Sequence, residues 1–161
     1  MRKLGKFRVE EMENQFPVLT MEERRQTIGG INILGMSDFE RACLYHYIGN
    51  TGDTINLGSS TFMGIASAAA NCGSVTSSSW VDIGGNMYHK RTVNMYGCDD
   101  YDRALGTCTI YYDMCGNAVG MKDYYDFNMD DATRSEQAQR DTRFGSLIPG
   151  SAYRIYYGIH D

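Results

Sequence analysis

The densest ionisable chemistry runs from Met121 to Arg134, Met-Lys-Asp-Tyr-Tyr-Asp-Phe-Asn-Met-Asp-Asp-Ala-Thr-Arg. Asp123 and Asp126 with Arg134 combine carboxylates and a guanidinium, a set that suits a divalent ion and a phosphate. Carboxylate oxygens bind a hard cation such as Mg²⁺, and Arg neutralises charge on a departing oxygen. Asp123 and Asp126 are thus candidate metal ligands. On a strand, Asp123, Tyr125 and Phe127 share one face, and Tyr124 and Asp126 the other. The two carboxylates therefore converge only at a bulge or a strand end. The competing reading is a solvated strand end followed by a capped polar helix.

The five cysteines are the second source of chemistry: Cys43, Cys72, Cys98, Cys108 and Cys115. Cys43-x-x-His46 puts two potential metal ligands on one helical face, but no second pair with zinc-like spacing accompanies it. Nucleophilic catalysis needs a Cys–His pair, drawn from Cys43, Cys72 or Cys98 with His89 or His160. Small buried thiols are the alternative. Any four of the cysteines allow three disulfide connectivities. Cys108 and Cys115 flank one expected hairpin, and a bridge across it is geometrically allowed if they face each other.

The elements that must position these groups read as α+β: N-terminal helices, an antiparallel hairpin-rich sheet, one late helix and a final strand. Ser37 and Glu40 form a capping box for a helix from about Asp38 to Tyr47, ended by Gly49-Asn50. A short strand is expected within Thr54–Leu57. Thr61–Asn71 is a small-residue helix closed by Cys72-Gly73. It reads as a buried core helix or as the inserting hairpin of a pore-former, and eleven residues fall short of the about 20 that span a bilayer. Val75–Ser79 reads as a Ser/Thr linker. Trp80–Ile83 and Met87–Tyr96 flank Gly84-Gly85-Asn86, a three-residue hairpin signal. Thr107–Met114 and Ala118–Phe127 flank Cys115-Gly116-Asn117, a second hairpin. Asp99–Leu105 is acidic and turn-like, Met129–Thr142 is a polar helix, and Ala152–Ile159 is the closing strand.

The composition bounds what such a scaffold does. The 161 residues are 42% hydrophobic and 22% charged, which suits a single domain with a real core. A net charge of −5 argues against broad binding to nucleic acid or anionic membranes. Eighteen Gly and twelve Tyr favour short strands and tight turns. The charge is uneven: residues 1–30 hold six Lys/Arg against five Asp/Glu, a balance of +1. Residues 31–161 hold nine against fifteen, a balance of −6, and all five cysteines.

That first stretch reads as an address. Thr20 and Glu23 form a capping box for a short helix starting near Met21, which Gly29-Gly30 ends with an open backbone. A basic start lacks the apolar run of a secretory signal. Counted back from Gly30, Leu19 stands at −12, Glu23 at −8, Ile28 at −3, and Gly29 and Gly30 at −2 and −1. At these offsets the segment resembles the double-glycine leaders of peptide bacteriocins. It departs from them at −7 and −4, where Arg24 and Thr27 replace apolar residues. The resemblance implies that a peptidase-containing ABC transporter grips residues 1–30 and cuts after Gly30. It implies a cytoplasmic, leader-bearing precursor and a secreted product of residues 31–161. An ordinary helix ended by a Gly cap is the plainer alternative.

Asp123-x-Tyr125-Asp126 followed by Arg134 is similar to the active-site signature of colicin M-like toxins. Those cleave a lipid-linked peptidoglycan precursor at its pyrophosphate with Mg²⁺. The Arg stands eight residues after the second Asp instead of about seven, and Thr133 stands where some members have His. Together the two resemblances imply a secreted antibacterial toxin acting on the envelope of a bacterial target, with an immunity protein as a further partner. From the residues themselves, a non-enzymatic binding module with Tyr-rich strands as its contact face is the alternative, and a pore-former is a third reading.

Overall fold

A computed structural model of the chain describes residues 27–28, 31–32, 35–49, 52–98, 100–126 and 149–161. Helix α1 (Asp38–Gly49) opens with the capping box read from the sequence. Glu40 N–H donates to Ser37 Oγ at 3.1 Å, and Ser37 N–H donates to Glu40 Oε2 at 2.9 Å. The Glu40 carboxyl is fully buried, and its Oε1 accepts the Arg103 N–H at 3.0 Å. One side chain thus caps α1 and pins the short helix α3 (Asp102–Leu105) against it.

Helix α2 (Ser59–Asn71) buries Phe62, Ile65, Ala66 and Ala69, the three- and four-residue spacing of a helix with one apolar face. This is the small-residue stretch of the sequence, packed as a core helix. Among the described residues no helix is long and apolar enough to cross a membrane. Its end is tied down by a disulfide between Cys72 and Cys98. Gly73 then lets the chain turn: a Cβ there would meet Val93 Cγ1 at 2.5 Å and the Ala69 carbonyl at 2.7 Å.

Six strands form one sheet: β3 (Ile55–Asn56), β4 (Ser74–Ile83), β5 (Asn86–Asn94), β6 (Thr107–Tyr112), β7 (Ala118–Tyr125) and β8 (Tyr153–Gly158). Their spatial order is β3-β8-β7-β6-β5-β4, antiparallel throughout except for the parallel β3–β8 pair. The α+β reading holds. The helices pack on one face: Phe62 stacks on Tyr157 at 4.1 Å, and Tyr153 Oη donates to the Cys43 carbonyl at 2.8 Å.

Several local expectations are corrected. Val75–Ser79 belongs to strand β4 and is no linker. Its serines and threonines show no alternation because both faces of this edge strand are exposed. The β4–β5 turn has two residues, Gly84 and Gly85, both at positive φ, and Asn86 pairs with Ile83. Cys108 and Cys115 are free. Cys108 is buried on the helix side of β6 whereas Cys115 is exposed beyond the strand's end, so they do not face each other. Thr27–Ile28 (β1) and Ile31–Asn32 (β2) pair antiparallel on either side of Gly29-Gly30, where a helix running into an open backbone was expected. The expected helix Met129–Thr142 lies outside the described residues, as do Leu19, Glu23 and the helix start near Met21.

Candidate functional site

Strand alternation sends neighbouring residues of β7 to opposite faces. Met121, Asp123 and Tyr125 point toward the helices, and Lys122 and Tyr124 point away. Register does the rest. Lys122 pairs with Thr109 and Tyr156, and Tyr124 with Arg154, so all five residues share the open face. Thr107, Thr109, Lys122, Tyr124, Arg154, Tyr156 and Asp161 are among the residues that line a groove of about 610 Å³ there.

Asp161 is held by three side chains from three strands. Lys90 Nζ on β5 lies 2.6 Å from Oδ2, while Lys122 Nζ on β7 and Tyr111 Oη on β6 both donate to Oδ1. Lys122 also reaches the Asp161 carbonyl at 3.4 Å, and Asp161 N–H donates back to Tyr111 Oη at 3.4 Å. These contacts, Lys122 first and then Lys90 and Tyr111, hold the Asp161 carboxyl well below the usual carboxylate range. Burial, together with the hydrogen bond to Asp161, pushes the Tyr111 hydroxyl up. Arg154, which also lines the groove, makes no ion pair among the described residues.

The path of residues 159–161 over the sheet depends on Gly120. Ile159 N–H donates to the Val119 carbonyl at 3.3 Å, which lays the backbone directly over Gly120. A Cβ at Gly120 would stand 1.8 Å from the Ile159 carbonyl oxygen, an impossible contact that no side-chain rotation relieves. Gly158, at φ +53°, makes the bend that starts this path.

The helix side of the same strands is chemically opposite. Asp123 pairs with Ile155, which pairs with Ile55, while Val93 pairs with Cys108 on the neighbouring strands. The carboxyl therefore sits in a cross-strand row of apolar and thiol side chains. Its Oδ2 is buried without a hydrogen-bond partner. Burial raises its pKa well above the usual range, and the nearby Asp126 adds to the rise against the Tyr124 N–H. Burial also pushes the Cys43 thiol up to about 12, opposed by its contact with Tyr153, and raises Cys108 as well. A thiol so raised is a packing group with little thiolate at neutral pH.

The residues singled out in the sequence are thus placed as follows. Asp123 and Tyr125 face the helices, and Tyr125 stacks on Tyr153 at 5.1 Å. Asp126 follows the end of β7, and Arg134 lies outside the described residues. His46 packs edge-on against Tyr153 and contacts the Asp53 carbonyl at 3.1 Å. Among the described residues no group of three or more His, Cys, Asp or Glu could hold a metal ion. Lys90, Tyr111, Arg154 and Asp161 were not singled out by sequence. Alternation alone places Lys122 with Tyr124, and Arg154 with Tyr156, but joining them to Lys90 needs the strand order.

No family model, curated protein or solved structure matches the chain. One group of expectations is withdrawn with this result: the double-glycine leader, secretion, the bacteriocin or antimicrobial toxin, and the ABC-transporter substrate. The described residues beside Gly29-Gly30 depart from that reading, since Thr27 and Ile28, expected at the end of the leader helix, pair with Asn32 and Ile31 as strands. Of that group only the disulfide stands, as Cys72–Cys98.

Proposed function

We propose that this chain is a non-enzymatic binding module that takes an oxyanion, a carboxylate or a phosphate, in the groove on the open face of its sheet. The observation that carries this reading is the Asp161 carboxylate gripped by Lys90, Lys122 and Tyr111. Two ammonium groups and a phenol converging on one carboxylate form a charge-assisted receptor for an oxyanion. Here the chain's own aspartate is the occupant. Arg154, Thr107 and Thr109 extend the donor set along the groove, so a ligand longer than one carboxylate gains contacts that Asp161 does not use. A tethered occupant competes at an effective concentration of the order of millimolar. An external anion therefore binds the native chain weakly and binds better once the tethered carboxylate is neutralised.

The test is calorimetric titration of the full chain, native and Asp161→Asn, with inorganic phosphate and separately with succinate. Binding to D161N at least about tenfold tighter than to the native chain, a shift of about 1.4 kcal/mol, supports the reading. Arg154→Ala in the D161N background then weakens the longer anion while leaving the thermal midpoint in place. Absence of binding by D161N for both anions sinks the proposal.

A further inference from the structure

The groove on the open face already holds a peptide, residues 159–161 of the chain itself. The contacts of that segment define what the site accepts more narrowly than the donors alone. After the bend at Gly158, His160 and Asp161 both come down on the sheet. The Asp161 carboxylate enters the cage of Lys90, Lys122 and Tyr111. One residue earlier, the His160 ring lies flat on Tyr156, with ring centres 4.1 Å apart and planes 9° from parallel. His160 Nδ1 lies 3.0 Å from the Gly158 carbonyl. A carbonyl only accepts, so Nδ1 carries the proton, and this bond sets the ring on Tyr156.

The register explains why neighbouring residues of a peptide supply both the ring and the carboxylate. Lys122 on β7 and Tyr156 on β8 are direct cross-strand partners. Such partners stand about 5 Å apart at Cβ. That is close to the about 3.8 Å between consecutive Cα atoms of a peptide. The ammonium and the phenol ring of the groove are therefore spaced for one residue and the next.

We infer, resting on the anion site proposed above, that the groove's external ligand is a peptide segment of a partner protein in which a residue with a planar ring directly precedes an acidic residue. Residues 159–161 are the internal stand-in for that segment. A bare carboxylate or phosphate fills only the cage, whereas the peptide fills the cage and covers Tyr156. The chain's net charge of −5 is offset locally. With Asp161 withdrawn, the two charges left in the cage, Lys90 and Lys122, are both positive, and Arg154 lines the same groove. The exchange is like for like, so in the native chain the partner competes with a tethered copy of its own contacts.

The experiment is an NMR titration of the full chain carrying His160→Ala and Asp161→Asn, which withdraws the ring and the charge without shortening the chain. The probe is the tetrapeptide acetyl-Gly-Ile-His-Asp-amide, which copies residues 158–161. Two further peptides replace its histidine by alanine or its aspartate by asparagine. The parent peptide should bind at least about threefold tighter than the alanine form, the size of a ring-stacking contact. It should bind at least about tenfold tighter than the asparagine form, the size of a hydrogen bond to a charged group. Tyr156→Ala in the same background should abolish the preference for the ring and keep the preference for the acid, a split that a weakened fold does not produce. Equal binding of the histidine and alanine peptides overturns the inference, and the anion site stands without it if succinate still binds. Equal binding of the aspartate and asparagine peptides, or no peptide binding, also overturns it. If phosphate and succinate fail to bind as well, the anion site falls with it.

Discussion

Two aspartates on opposite faces of one sheet show what this fold does with charge. Asp161, on the open face, has two lysines and a tyrosine hydroxyl around it and is held ionised. Asp123, on the helix face, has an oxygen with no partner and is driven toward its neutral form by burial. Only the alternation of β7 separates their surroundings: Lys122 goes to one face and Asp123 to the other. Charge on the open face is organised by pairing across strands. On the helix side the buried Glu40 carboxyl is satisfied by two backbone N–H groups, although burial still raises its pKa. The open face therefore holds an ionised carboxylate among cationic and hydroxyl donors, and the helix face does not.

The largest break in this contrast comes from Glu40→Ala. It removes a buried carboxyl that accepts two backbone N–H groups and leaves both donors orphaned. Urea unfolding should show a loss of about 3 kcal/mol. A loss within about 0.5 kcal/mol would mean that backbone pairing does not explain why this face tolerates a carboxyl.

Asp123→Asn comes next and acts in the opposite direction. A carboxyl whose folded pKa is raised contributes most at low pH. Its contribution then falls away as pH climbs from the unfolded value, near 3.8, toward the raised folded value. The native chain should therefore lose stability across that window, and the amide should not. At pH 8, D123N should be more stable by about 1–2 kcal/mol, the order of the penalty for a buried unsatisfied group. Parallel pH profiles for the two proteins would show that Asp123 has found a partner.

Asp161→Asn is the smallest and sharpens the other side of the comparison. Asp161 is depressed, so its contribution is present above pH 4 and is lost as pH falls through the depressed value. Its side chain is 34% exposed, so solvent and salt screen the pairs, and the cost should be below about 1 kcal/mol. Thermal melts at pH 7 in low and high salt measure it. A native chain whose extra stability over D161N does not shrink with salt would place that stability outside the lysine contacts.

What could be read from sequence divides by distance along the chain. The Ser37–Glu40 box is legible because both partners lie within one helical turn and the bond is local. The two hairpins and the closing strand are legible from turn residues and alternation. The first half of strand β4, read as a Val75–Ser79 linker, is not legible because an edge exposed on both faces has no apolar period to detect. The groove was missed for another reason: Lys90 and Lys122 stand 71 and 39 residues from Asp161, and only the strand order brings them together. Asp123 was noticed, but whether its carboxyl met solvent or helices depended on which face the helices chose.

Gly120 gives the groove an unusual inheritance. The donors that define the receptor are written at positions 90, 111 and 122, whereas the admission of its internal occupant is written at position 120, in the absence of one carbon. The two can change independently. A single-nucleotide change from a glycine to an alanine codon would leave every donor in place while denying residues 159–161 their route. Under the proposed binding function, that one step would turn a self-filled anion site into a vacant one.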